Sequence, residues 1–549
     1  MKHVVWILMP ALILAGCGQE PKSVAVKEPT SSPKNPRSPT DAEIIETKIR
    51  TFLKKPAGEL KAEDFARVKE LDLGSARIRS VDYLVNLQSL EVLRLNHNAI
   101  TNLSPLADLK KLRELTLSYN PVGEITPLAG LNLLEKLYLD GIGLANLEPL
   151  ARMTSLLELG LENNRIVDLA PLAELSRLNL LHLGGNPVAS LAPLAGLTKL
   201  EVFYLSSSKV HDLSPLSKLT QMRTLGLPGN KVADMTPLRG LVKLEVLHLG
   251  GNPIADVGAL SNMVEIKTLN LERTQVADLK PLAGLVRLEQ LVLANTHVSD
   301  LGPLAGLRSL KSLNIRNANP PRPAIVTGLD LTPLEDLSAL ETLQLEGNHI
   351  LDLSALSGLG RLRELNIENN QVVQLDSLSR LVNLETLRLG VNRISDLGPM
   401  AGLSQLWRLD MDANLIDDLS PLAKLKNLTT LRLRQNRISD LRPLAHLSKL
   451  KFIFLDRNQV RDVAPLGGLQ RLEYIGLENN QLTDVAPLAG LRFLTVLRLA
   501  DNQITNLAPL LKVKSLRTLT MKKNPQLGRA EAGGLRRALP GLNVDFFEK

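Results

Sequence analysis

Residues 181–202 read LHLGGNPVASLAPLAGLTKLEV. Leu181 and Leu183 flank His182, so a short strand here turns two leucines to one face and the intervening side chain to the other. Asn186 follows at the end of the strand, and Pro193 opens a second short segment. The unit then starts again. With Asn186 as the reference slot, the pattern recurs at 76, 98, 120, 142, 164, 186, 208, 230, 252, 274, 296, 318, 348, 370, 392, 414, 436, 458, 480, 502 and 524. Nineteen of the twenty intervals are 22 residues, and the interval from 318 to 348 is 30. Self-similarity at this period means a solenoid, in which each unit buries its apolar face only against its neighbours.

Fifteen of the 21 slots hold Asn; Ser208, Thr274 and Thr296 keep a hydroxyl, and Ala76, Ile142 and Ala318 keep nothing polar. A buried amide without partners costs about 1–3 kcal/mol, so its repetition predicts a hydrogen-bonded ladder along the stack. Proline seven residues after the slot (Pro105, Pro171, Pro215, Pro421, Pro487) suits the first turn of a short convex helix. The predicted fold is an α/β right-handed solenoid. It has a parallel sheet on its concave side, short helices on its convex side, a helical N-terminal cap and a helix-strand C-terminal cap.

The LxLxxNxI strand, an Asp four residues after the slot (Asp168, Asp234, Asp300, Asp440, Asp484) and the PLAGL or PLAxL segment resemble leucine-rich repeats of the bacterial internalin type. The resemblance covers residues 42 to about 549. Residues 41–73 also resemble the helical cap that precedes many such arrays. Within that segment Ile45, Ile49, Phe52 and Leu53 share one helical face, and Pro56-Ala57-Gly58 ends the helix.

The N-terminal MKHVVWILMPALILAGC pairs a basic start with an apolar run too short to span a bilayer, which fits a secretory signal peptide. Its Leu14-Ala15-Gly16-Cys17 looks like a bacterial lipobox. That resemblance implies cleavage before Cys17, lipidation of Cys17 and, with Gly18 following, outer-membrane sorting. Residues 18–40 are rich in Pro and Ser and form a tether, up to roughly 70 Å long if extended. The expected organisation is a signal peptide (1–16), lipidated Cys and tether (17–40), helical cap (41–70), twelve repeats (71–318), a loop insertion (319–328), nine repeats (329–525) and a C-terminal cap (526–549).

The chain has 549 residues, 44% hydrophobic but only 3% aromatic, with net charge +8 and both signs interspersed. This is not the concentrated basic stripe of a nucleic-acid binder. Cys17 is the single cysteine, which excludes intrachain disulfides. There is no nucleophile elbow, phosphate loop or HExxH motif. His182 and His248 share a strand position three units apart, ~14 Å, too far to hold one metal. No catalytic, cofactor or metal site is expected.

Binding residues are sought instead where aromatics and arginines fall on the concave face, six, four or two positions before a slot. Beyond the insertion these are Arg388, Arg408, Arg432, Arg434, Phe452, Phe454, Tyr474 and Arg498, with Trp407 at the edge. A secondary set before the insertion is Tyr138, His182, Tyr204 and His248, with Tyr119 at the rim. Large aromatics with Arg are enriched at interaction hot spots. For Phe452 and Phe454 a second reading, strand propensity alone, stands beside contact.

The resulting expectation is a non-enzymatic, lipid-anchored monomer of the bacterial envelope that binds a macromolecular ligand, a protein, on its concave face. The alternatives are a carbohydrate or peptidoglycan binder, a passive structural protein and a surface adhesin. The stretch RNANPPRPAIVTGLDL (316–331) carries the eight extra residues. It reads either as a seam between two surfaces or as a tolerated surface insertion.

Overall fold

The structure, a computed structural model, describes residues 39–318, 328–527 and 529–545. Cys17, the leader, the tether up to residue 38 and residues 319–327 of the insertion lie outside the described residues.

One parallel sheet of 22 three-residue strands runs from β1 (Glu70–Asp72) to β22 (Asn543–Asp545), each strand pairing with the next. The 22-residue period sets the register, so equivalent positions align in rows. One such row runs Tyr138, Gly160, His182, Tyr204, Gly226, His248. The middle residue of each strand is buried, Leu in most repeats, with Phe203 fully buried in the same place. The register crosses the insertion unchanged: Ser312 pairs with Thr342 and Asn314 with Gln344.

The slot forms the expected ladder. Asn186 donates to its own Leu183 carbonyl (2.8 Å) and to the Leu161 carbonyl of the preceding repeat (2.8 Å), and its Oδ1 accepts from the Ile166 N–H at 3.0 Å. Asn252, Asn414 and Asn524 repeat this pattern. Thr274 and Thr296 donate only to their own repeats, through Leu271 and Leu293. Among the described residues no slot side chain therefore reaches back between Asn252 and Asn348. Asn348 resumes the ladder across the insertion, donating to Ile315 and accepting from the Ala318 N–H, both at 2.9 Å.

The residue just before each slot adopts the left-handed conformation in all 21 repeats, from Ser75 (φ 56°) through Gly185 (φ 73°) and Val391 (φ 56°) to Lys523 (φ 58°). Composition varies widely there, so the turn is imposed by backbone pairing with the next repeat, as from the Ser75 N–H to the Asn96 carbonyl (2.9 Å) and from the Val391 N–H to the Asp412 carbonyl (2.7 Å), with glycine relieving strain only in some repeats.

On the convex side the expected short helices are single 3-10 turns of three to five residues, such as Ala170–Leu172 and Ser420–Lys424. The repeat leaves room for one i→i+3 closure, as from the Leu172 N–H to the Leu169 carbonyl (2.9 Å), before the chain returns to the sheet. The recurrent Asp caps this turn: Asp168 Oδ1 accepts from the Ala170 N–H at 2.9 Å. The cap suffices without proline, because the turn at Ser354–Leu356 forms with Ala355 in that place and Asp352 capping the Ser354 N–H.

At the N-terminal end α1 (Asp41–Leu53) starts in a capping box between Thr40 and Glu43. It buries Ile45, Ile49 and Leu53 against the first repeat, and Asp41 accepts from the Arg79 and Ser80 N–H groups. Phe52, expected on that face, is 48% exposed, since it is set off from the i, i+4 row of the buried residues. The helix ends at left-handed Lys54, ahead of Pro56. A short α2 (Ala62–Arg67) leads into β1. At the other end α3 (Arg529–Ala538) and β22 close the stack, burying Leu535, Leu539 and Val544.

Candidate functional site

Two clusters occupy the strand face. The first spans β4 (Lys136–Tyr138) to β9 (Val246–His248). His182 and Tyr204 meet edge to face with centroids 5.2 Å apart, and Tyr204 stacks towards His248 at 6.4 Å. Gly226 makes the second contact possible, because a Cβ there would lie 2.2 Å from Tyr204 Cδ1. Tyr138 lies over Gly160 in the same manner and donates its hydroxyl to Glu158. Burial pushes the imidazoles of His182 and His248 below their usual pKa and the phenols of Tyr138 and Tyr204 above theirs. Tyr119 stands apart at the rim, stacked on His97 at 4.7 Å.

The second cluster spans β15 (Thr386–Arg388) to β20 (Val496–Arg498). Arg432 pairs with Asp410 (2.8 Å) and Asp412 (3.0 Å), and Arg434 pairs with Asp456 (2.9 Å). Both guanidinium groups lie over the Phe454 ring, at 5.0 and 4.5 Å from its centroid, and Tyr474 packs on that ring at 4.5 Å. Phe454 is thus held by two fixed cations and a second ring, which strand propensity alone does not require. Phe452 is half-buried beside Tyr474 in register but joins none of these ring contacts. Arg498 pairs with Glu478 at 3.4 Å.

Arg388 and Arg408 differ from the other arginines of this face. Each has a buried Nε with no acceptor among the described residues. Trp407, next to Arg408 and 42% exposed, has no aromatic neighbour among the described residues; its carbonyl accepts from the Thr429 N–H and hydroxyl.

The carboxylates Asp410, Asp412 and Asp456, which orient the arginines, carry as much of the arrangement as the residues singled out from sequence. A further feature is an edge row of opposite charges seven residues before most slots: Lys69–Glu91, Arg113–Glu135, Arg223–Glu245–Lys267, Glu289–Lys311 and Lys451–Glu473, at 2.7–2.9 Å. Alternation of sign at the repeat spacing was its signal. Exposed pairs of this kind add little stability singly. Trp407 replaces a charge in this row, between Glu385 and Thr429.

No group of three or more His, Cys, Asp or Glu side chains that could hold a metal exists among the described residues, and none of their helices is long and apolar enough to cross a membrane. Hollows of about 370, 320 and 440 Å³ line α1 and the convex turns near Asp330 and Pro127, away from both clusters.

Family models described as leucine-rich repeats match residues 88–131, 241–261, 426–468 and 490–507. Comparison with curated proteins finds no match. Among solved structures, the plant peptide hormone receptor RGFR1 in complex with RGF2 is 18% identical, covers 88% of this chain and 86% of its own, and has a TM-score of 0.60. The Arabidopsis receptor kinase HAESA, in complex with the peptide hormone IDA and the co-receptor SERK1, is 21% identical, covers 87% and 91%, and has a TM-score of 0.58. Internalin C2 from Listeria monocytogenes is 30% identical over 40% of this chain and 100% of its own, with a TM-score of 0.37. With one continuous parallel sheet, an asparagine ladder and matching repeats at four places, the chain is a leucine-rich-repeat solenoid.

Proposed function

We propose that the chain is a non-enzymatic scaffold whose concave face over β15–β20 binds a protein or peptide ligand. The observation that carries this reading is Phe454, clamped between Arg432, Arg434 and Tyr474 on an exposed sheet face. A surface fixed in advance by ion pairs pays little ordering cost on binding. That RGFR1 and HAESA, of like fold, are seen with peptide hormones supports a peptide or protein as the ligand class.

The test is crosslinking capture with the body from residue 39 onwards, followed by Phe454→Ala and Trp407→Ala. Loss of a captured protein in these variants, with melting unchanged, supports the reading. Retention of full binding overturns it. If neither variant changes binding or phenotype, a passive structural role replaces it.

A carbohydrate ligand is the second reading. It is favoured by the Tyr138, His182, Tyr204 and His248 row, half-buried rings on one sheet face of which Tyr138 and Tyr204 lie over Gly160 and Gly226. Binding to isolated peptidoglycan that is lost in Tyr204→Ala would select it. In the same proposal Cys17 carries a lipid that holds the scaffold at the cell envelope. Fatty-acid labelling that persists in Cys17→Ser would refute the anchor. Protease shaving of intact cells tests for a surface adhesin.

A further inference from the structure

We propose that Arg388 and Arg408 form an anchor for a carboxylate group of the ligand, an acidic side chain or chain terminus; this deepens the concave-face reading and rests on it. The two arginines stand on neighbouring strands, β15 and β16 (Arg408–Asp410), and Arg408 pairs in register with Thr386, two residues before Arg388. Their Cα atoms are therefore about 8 Å apart on one face of the sheet, a separation that two long side chains bridge easily.

Every other arginine of this cluster is committed. Arg432 and Arg434 are held by aspartates, and Arg498 is held by Glu478. Arg388 and Arg408 form no ion pair among the described residues, and the Nε of each is buried without an acceptor. With Nε covered, the terminal amino groups of each guanidinium are what a ligand meets. They offer planar N–H forks that match a carboxylate.

The surrounding charge selects the class of anion. Glu368, Asp410 and Asp412 lie close by: burial, then repulsion from Asp410, raises the carboxyl of Glu368, and burial, then repulsion from Asp412, raises that of Asp410, with Arg388 and Arg408 at longer range acting against these shifts. A singly charged carboxylate is tolerated there, whereas a phosphate dianion would face the same three carboxylates at twice the charge. Trp407 precedes Arg408 in the chain and is 42% exposed.

The experiment follows the Nε–Hε NMR signals of Arg388 and Arg408 in the whole solenoid, using acetyl-glutamate amide, acetyl-glutamine amide and inorganic phosphate as probes. Saturable shifts with the glutamate probe, at least about tenfold weaker with the glutamine probe and lost in Arg388→Gln/Arg408→Gln, are expected. Arg388→Lys/Arg408→Lys keeps both charges but not the fork, and should retain only part of the affinity. It also serves as the readout if the glutamine pair fails to fold. Absence of a saturable shift with the glutamate probe, or tighter binding of phosphate, overturns the proposal. Capture of a protein ligand that depends on Phe454 can succeed while this test fails, so the two readings fall separately.

Discussion

Tyr204 reaches His248 only because Gly226, on the strand between them, has no side chain: a Cβ at Gly226 would sit 2.2 Å from Tyr204 Cδ1. Gly226→Ala should therefore push Tyr204 off this strand while the core leucines stay in place. The expected cost is about 1–3 kcal/mol from forced repacking. A moved His248 ring signal with an intact far-ultraviolet spectrum would show it, and an unmoved His248 signal would contradict it.

The ladder yields a paired prediction. Asn186→Ala leaves the Ile166 N–H and the Leu161 carbonyl without the partner that joins two repeats. A loss of about 1–3 kcal/mol is expected. Thr296→Asn works in the opposite direction, since Thr296 reaches only its own Leu293. Hydrogen exchange should be fastest over residues 254–318 in the native protein and slow in the Asn variant. Equal protection along the whole stack would remove the basis for a seam at the insertion.

Val391 is a β-branched residue at φ 56°, in a turn where ten of the other repeats carry Gly or Asn. Val391→Asn should raise stability by about 1 kcal/mol, read as a higher melting temperature. The turn itself was hard to read from sequence, because Tyr119, Arg273 and Val391 share no chemistry that announces a positive φ. The ladder and the sheet were legible, since repetition of one buried polar residue has a single economical explanation. The convex 3-10 turns were read as helices because proline at the first turn suits both.

His182 and His248 have imidazoles held below the ordinary value of 6.5 by burial. A depressed folded pKa means that the unfolded chain binds more protons, so the stability these groups contribute is present above pH 6.5 and is lost as pH falls. Glu162, beside His182, has a carboxyl raised by burial and acts in the opposite sense, its contribution being lost as pH rises above the ordinary value of 4.5. The measurement is thus a difference: melting temperatures of the native protein and of His182→Gln/His248→Gln between about pH 7 and pH 5. The native protein should lose more stability on acidification than the variant.

The candidate site was only partly legible. Arg432, Arg434, Phe454 and Tyr474 were found from their strand positions, and the structure brings them together. Phe452, two residues before Phe454 on the same strand, stays outside that group. What the sequence positions did not reveal is which arginines are spoken for. Pairing depends on side chains of adjacent strands, 20 or 22 residues apart, choosing one another, as Arg432 does with Asp412 and Arg434 with Asp456. Arg388 and Arg408 look equivalent to them in sequence and differ only in that choice.

Asp410 and Asp412 both touch Arg432, yet they should respond differently to loss of charge. Asp410 is 4% exposed, and burial, followed by repulsion from Asp412, pushes its carboxyl above the ordinary value despite Arg432. A raised carboxyl contributes stability that is lost as pH rises through its folded pKa, so at neutral pH the ionised form is a net burden. Asp410→Asn should leave melting unchanged or raise it at pH 7 and should reduce the gain seen on moving to about pH 5. Asp412 also accepts from the Arg434 N–H at 2.7 Å and from Arg432 at 3.0 Å. Asp412→Asn removes charge from both contacts and should cost about 1–3 kcal/mol. Because Arg432 keeps one carboxylate in either variant, the difference between the two isolates where the charge sits from how many carboxylates Arg432 has. Equal destabilisation by both substitutions would show that burial does not weigh against the charge of Asp410.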